Sequence, residues 1–337
     1  MLILDLHPAG VCLLLAVIAL VAVAAVLAVL LKTGLSWHLA IDLPNERSLH
    51  IQPTPRVGGW GIIPVVVLII WLVVPTLRLI MLTALLLAAL SQIDDYRGLS
   101  ARIRFIGHLA AVATLVIICR ANVPKWAIVI MVFLFAWIVN VYNFMDGADG
   151  LAGGMALLGF SGYAIAALIS KHPDVQLAMA CSAVAGGSAG FLLFNFYPAR
   201  VFLGDVGSIP LGFLVGAFGY CGWKEDVWPV WFPMLTFSPF ISDASITLLK
   251  RVIRKERFWK AHREHYYQRM IRSGLGHAMT ALIWYLVIIV CIIFSLIALR
   301  FDPIYQWILV IGWILVLMLI GVSIDRRWQR YTSECDH

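Results

Sequence analysis

Charge is scarce in this chain of 337 residues, with 13% of it Asp, Glu, Lys or Arg against 62% hydrophobic residues. Ordinary soluble domains carry roughly a quarter charged residues, so a water-soluble globule is excluded. Cysteine is sparse and shows no pairing pattern. The six, at positions 12, 119, 181, 221, 291 and 335, form no CxxC pair, and five lie in apolar segments. A disulfide framework and a zinc site are therefore not implied, and the thiols read as small hydrophobes. No Lys or Arg precedes Lys32, and the apolar run Ala9 to Leu31 is too long for the core of a cleavable signal, so a first span is expected there. Strict polar/apolar alternation, the mark of a membrane β-barrel, is absent from that run, which is apolar on every helical face. No repeat of fixed period and no low-complexity tract is visible.

What remains is an all-α polytopic membrane protein forming a single domain over 1–337. At about 20 residues per span, hydropathy predicts eleven helices near 9–31, 60–76, 78–93, 105–120, 125–142, 151–170, 176–194, 209–222, 228–249, 279–299 and 304–323. With the N-terminus outside, the inner segments hold nineteen Lys or Arg and the outer ones six: Arg78, Arg120, Lys125, Lys171, Lys224 and Arg300. That asymmetry predicts a periplasmic N-terminus and a cytoplasmic C-terminus. The inner connections, about 32–59, 94–104, 143–150, 195–208 and 250–278, also carry most of the polar residues, so the chemistry is expected at the inner face.

Five segments carry that chemistry. Asp94-Asp95-Tyr96-Arg97 places two adjacent carboxylates at a membrane boundary, tolerable as a solvated helix end or as a site neutralised by a cation. Asn143-Phe144-Met145-Asp146-Gly147-Ala148-Asp149-Gly150 is glycine-rich, and its glycines allow backbone to approach a ligand. Asp149 could instead cap the next helix, but capping does not account for Asn143 and Asp146, and the spacing is not that of a calcium loop. Asn195 to Ser208 contains Phe202 and then Asp205 between glycines, ahead of an expected helix start at Ser208. Helix N-terminal amides favour anions, and an Asp there suits a divalent cation beside phosphate. Phe202 fits either a base stack or ordinary packing.

The run Lys250 to His277 includes His262, Arg263 and His265. Such basic runs bind lipid head groups, or, with two His at i and i+3 on one helical face, a diphosphate. The early loop Asp42 to Gly59 offers Arg47, His50 and Arg56 as anion contacts. Together these make an inventory for a metal-bound diphosphate, since phosphoryl transfer needs a divalent ion and basic groups to offset charge.

The segments DDYR, NFMDGADGLAGG and NFYPARVFLGDVGS, with DLPNERSLHIQPTPRVGG before them and AHREHYYQR after, resemble the polyprenyl-phosphate N-acetylhexosamine-1-phosphate transferases, the group containing WecA, MraY and WbpL. The resemblance runs from about residue 42 to 270. It implies a multi-pass enzyme of the bacterial inner membrane, with its site on the cytoplasmic face and Mg²⁺ or Mn²⁺ as cofactor. The activity it implies is transfer of a sugar 1-phosphate from a UDP-N-acetylhexosamine to undecaprenyl phosphate, with release of UMP. By the same resemblance Asp94, Asp95, Asp146 and Asp149 are catalytic, and Asp95 and Asp205 are metal ligands. Arg47, His50, Arg56, Arg104, Asn143, Asn195, Phe202, His262, Arg263 and His265 bind substrate, Phe202 beneath the uracil.

Two departures stand out. The sequence His262-Arg263-Glu264-His265 replaces a more histidine-rich tract, and a Lys expected after the acidic pair is missing, with Arg97, Arg102 or Arg104 available to replace it. The basic loop is closer to the O-antigen initiating branch, which implies a GlcNAc-type or 6-deoxy donor such as FucNAc or QuiNAc and a role in lipopolysaccharide synthesis. The phospho-MurNAc-pentapeptide donor is the alternative within the family. Membrane lipids and a homodimer are compatible partners, and nucleic acid is not expected. A transporter, the rival of a different class, would place its ionisable groups near the bilayer midplane rather than at one face.

Overall fold

The computed structural model describes residues 7–44, 50, 52–257 and 262–335. Arg47 lies outside them, as does part of the basic run. In chain order the helices are α1 (Pro8–Lys32), the single turn α2 (Ser36–Leu39), α3 (Gly58–Val73), α4 (Arg78–Arg97), α5 (Ala101–Ile118), α6 (Lys125–Phe144), α7 (Leu151–Ile169), α8 (Val175–Asn195) and α9 (Asp205–Lys224). The short α10 (Trp231–Thr236), α11 (Ser238–Ile253), the short α12 (Tyr266–Met270), α13 (Gly276–Ala298) and α14 (Pro303–Cys335) complete the fold. One two-stranded ribbon, β1 (Ile41–Asp42) against β2 (Thr54–Pro55), pairs Ile41 with Pro55 and Asp42 with Thr54.

Among the described residues, nine helical segments are long and apolar enough to cross a membrane. They fall on nine of the eleven expected spans. The other two take different forms. The segment expected at 60–76 is the 16-residue α3, and the one expected at 228–249 is broken at Phe237 into α10 and α11. Pro233 and Pro239 flank the break, and each lacks an amide hydrogen to continue a helical ladder. Two boundaries move toward the site. The helix expected from 209 begins at Asp205, with Gly204 as its cap, and the one expected from 105 begins at Ala101, with the Ser100 side chain accepting from Ile103 N. Asp205 and Arg104 are therefore held on helices instead of loops.

α7, α8 and α9 form the interior, with α1 against α8, and α4 and α6 against α9. Their small residues explain why. Association of helices in lipid depends on close van der Waals packing, which Gly and Ala permit; along α9, glycines recur at 207, 212, 216, 219 and 222, and nearly every residue is buried. By contrast α1, α5 and α14 keep long exposed apolar faces of Leu, Ile and Val, suited to contact with lipid. The starts of α3, α5, α7, α9 and α13 meet the ends of α4, α6, α8 and α11 at one end of the bundle, and that is where the site forms.

Candidate active site

The early loop and the loop before α9 are zipped together by backbone. Phe202 N–H donates to Pro55 O at 2.8 Å, Gly58 N–H to Phe202 O at 2.8 Å, and Gly59 N–H to Leu203 O at 2.9 Å. The approach is so close that a methyl group at Gly59 would collide with the Gly207 amide, a position where only glycine fits. This joint brings Arg56 beside α4 and α9. Its guanidinium lies 3.5 Å from the Asp95 carboxylate. Arg104 bridges two other carboxylates, at 3.1 Å from Asp94 and 4.0 Å from Asp205. Asp94 also accepts from Leu99 N at 2.7 Å, so both of its oxygens are engaged. Of the three arginines available in place of the missing Lys, Arg104 is the one placed between the acidic groups.

These residues border a cavity of about 250 Å³ lined by Asp42, His50, Arg56, Asn143, Asp146, Asp149, Asn195, Phe202, Asp205, Gln268 and His277. Burial pushes the Asp146 carboxyl well above the usual carboxylate range, the nearby Asp205 charge adds to the rise, and a hydrogen bond with the Gly204 backbone opposes it. A second cavity of about 410 Å³ shares Asn143 and Asp205 with the first. Asp94, Arg104 and His108 are its charged or titratable lining, and Leu90, Phe105, Trp137, Phe144, Ile209 and Leu248 make its walls mainly apolar. One carboxylate thus serves a polar and an apolar chamber at once.

Several expected roles change in detail. Asp149 does not cap α7, because Gly150 is the cap residue and makes no side-chain bond to the helix. The Asp149 carboxylate instead accepts from Ala199 N at 3.0 Å and faces His277 Nδ1 at 3.4 Å. Asn195 is buried; its oxygen accepts from Gly150 N at 3.0 Å and its amide donates to Val201 O at 2.9 Å, so it ties two site loops together. Phe202 meets the His50 ring edge to face, with centroids 4.8 Å apart. His262 and His265 do not share a helical face, because α12 starts only at Tyr266; their rings nevertheless lie 4.9 Å apart. His262, Arg263 and His265 do not line the polar cavity. Burial first, then His265 and Arg251, lowers the pKa of His262 to about 4, which makes it a neutral ring near pH 7.

The residue that organises this region was not legible as a site residue. Asp243 of α11 is buried and accepts from Tyr266 N at 2.8 Å, Tyr267 N at 3.0 Å and Thr247 Oγ1 at 3.3 Å, with His265 Nδ1 at 3.2 Å. Tyr267 in turn donates from its hydroxyl to Phe144 O at 3.2 Å, bracing the turn that carries Asp146. Asp243→Ala leaves these buried donors without a partner. The expected result is a loss of about 3–5 kcal/mol of stability, read as a fall in the thermal midpoint of the detergent-solubilised protein; an unchanged midpoint would contradict the bracing role.

Among the described residues no three His, Cys, Asp or Glu side chains converge as a ready-made metal cage. The donor chemistry still fits a hard cation. Mg²⁺ typically takes one or two carboxylates and completes its shell with water and substrate phosphates. Asp95 and Asp205 lie within electrostatic reach of each other, each raising the other's cost of ionisation, and a cation between them would relieve that repulsion.

A membrane-embedded helical bundle with clustered acids, flanking arginines and paired polar and apolar chambers is the framework of a membrane transferase. Residues 77–222 match the family described as Glycosyl transferase family 4. The chain is 28% identical over 268 residues to a probable undecaprenyl-phosphate N-acetylglucosaminyl 1-phosphate transferase of Bacillus subtilis, covering 74% of each chain. To the decaprenyl-phosphate N-acetylglucosaminephosphotransferase of Mycolicibacterium smegmatis it is 27% identical, over 83% of this chain and 80% of that one. A phospho-N-acetylmuramoyl-pentapeptide-transferase of Listeria monocytogenes is 29% identical over 51% of this chain and 58% of its own.

Proposed function

We propose that the protein transfers a sugar 1-phosphate from a UDP-N-acetylhexosamine to undecaprenyl phosphate and releases UMP. The observation that carries this reading is the wall shared by the two chambers, where Asn143 and Asp205 stand between a polar cavity sized for part of a nucleotide sugar and an apolar one suited to a polyprenyl chain. In the step itself an acceptor phosphate oxygen forms a bond to the β-phosphorus, and the bond from that phosphorus to the bridging oxygen breaks. The oxygen leaves with UMP. Charge balances, with two dianions entering and two leaving.

Four negative charges meeting in a small volume set the demand on this chain's residues. Arg56, lining the polar cavity, and Arg104, lining the apolar one, offset part of that charge, since cationic groups receive what a phosphoryl group develops. Asp95 and Asp205 are the residues that would hold Mg²⁺ or Mn²⁺, which supplies charge neutralisation of the diphosphate when bound. Asp94 fixes Arg104 in position, and Asn195 fixes the Gly150 turn against the loop ahead of Phe202. The nineteen-to-six distribution of Lys and Arg supports a cytoplasmic site in the bacterial inner membrane.

For the donor, the N-acetylglucosamine 1-phosphate enzymes align over 74% and 83% of this chain, against 51% for the pentapeptide enzyme. That supports a GlcNAc-type donor and a role in starting a glycan on the polyprenyl carrier; the 6-deoxy donor and the O-antigen role rest on the basic-loop resemblance. The test is to incubate the purified protein with polyprenyl phosphate, Mg²⁺ and a panel of UDP-sugars. UMP is the expected nucleotide product, because the β-phosphate travels with the sugar. Release of UDP would identify an ordinary glycosyl transfer and end this reading.

A further inference from the structure

α7, α9 and α13 all start at the site, and at about 1.5 Å per residue their far ends lie roughly 30 Å away. There they enclose a third cavity of about 590 Å³, lined by segments 169–172, 223–229 and 299–306. Its composition is mixed in an informative way. Ile169, Trp223, Val227, Trp228, Pro229 and Leu299 supply apolar wall, while Lys171, His172 and Arg300 supply cationic or titratable groups against the single acid Asp226.

Three polar groups in and beside the wall are satisfied by the fold. The Trp228 indole N–H donates to Gly219 O at 3.1 Å, Trp231 donates to Gln306 Oε1 at 3.0 Å, and the Gln306 amide donates to Phe301 O at 2.9 Å. The adjacent Lys224 and Glu225 pair with each other at 2.9 Å. Among the described residues, however, Lys171 and Arg300 close no ion pair, even though Asp226 borders the same cavity. Ser170 Oγ, also at this cavity, is buried without a hydrogen-bond partner. Two permanent cations and an unmet hydroxyl therefore border a space that the fold leaves open.

We propose that this cavity binds the phosphate of an anionic phospholipid from the leaflet opposite the site, with the first acyl carbons lying along the tryptophan wall. A free anion would use the cations but not the apolar side, and a zwitterionic lipid would bring its own positive charge to a positive cavity. Tryptophan at membrane interfaces suits this level of the bilayer, and the volume is within the range of small-molecule sites. The inference is independent of the transfer reaction.

The full chain, purified in detergent, can be titrated with phosphatidylglycerol and followed by native mass spectrometry. Lys171→Ala with Arg300→Ala should weaken the tightest lipid adduct at least tenfold. Arg120→Ala with Lys125→Ala, cations outside this cavity, should leave it unchanged. Phosphatidylcholine and inorganic phosphate at equal concentration should not displace the lipid. Equal retention by the two double variants, or equal binding of phosphatidylcholine, would overturn the proposal; displacement by inorganic phosphate would replace the lipid with a free anion. Both cavity cations are exposed at the rim, so their removal is not expected to unfold the chain, and an unchanged thermal midpoint checks this.

Discussion

Asp205→Asn is expected to reduce turnover by about a thousandfold, roughly 4 kcal/mol in barrier height, with protein still folded and inserted. Asp205 begins α9 and borders both chambers, where Arg104 also reaches it. An amide of the same size keeps the packing but removes the negative charge proposed to hold the divalent ion. The loss should persist across pH, since no proton transfer is being assigned to this group. The measurement is UMP release at saturating UDP-sugar over a range of Mg²⁺. A variant retaining most wild-type activity at ordinary Mg²⁺ would remove Asp205 from the metal site.

Asp94→Asn separates a proton acceptor from a positioning group. A phosphate monoester has a second pKa near 6, so at pH 7 roughly nine-tenths of the lipid acceptor is already the nucleophilic dianion. Loss of a mere base should therefore lower activity at most about tenfold at pH 7 and recover by about pH 8. The geometry favours the other outcome. Both Asp94 oxygens are engaged, one by Leu99 N–H and one by Arg104, and Asp94 is the closer of the two carboxylates that hold that guanidinium. Substitution lets Arg104 swing toward Asp205 and disturb the shared wall. A loss of several kcal/mol that stays flat between pH 6 and 9 is expected; recovery at high pH would restore the general base.

The membrane character and the gathering of acids at one end were legible in the sequence because both depend on local composition. Runs of apolar residues must span, and Asp94, Asp95, Asp146, Asp149 and Asp205 all stand at the margins of such runs. What escaped depends on contacts distant in sequence. Asp243 stands within a stretch read as one continuous span, and a single carboxylate hardly alters its mean hydropathy. Its presence was still a signal, since a lone acid in a bilayer segment is costly without partners; those partners lie at 265–267. Local sequence predicts a start for α9 only at Ser208, because the stretch around Gly204 and Gly207 has little intrinsic preference for helix. Backbone bonds from Gly58 and Gly59 are part of what fixes that turn, and local propensity contains no trace of them. His277, which faces Asp149, was legible only as the end of a basic run.

The contact between Gly59 and Gly207 limits how this protein can vary over evolutionary time. Where two backbones touch, there is no side chain to absorb an error, so displacement at one strand of the joint passes undamped to Arg56 on one side and Asp205 on the other. Exposed aliphatic positions on α1 and α14 can exchange one such residue for another with little consequence. The joint acts as the fixed datum from which the spacing of cation and carboxylate is measured.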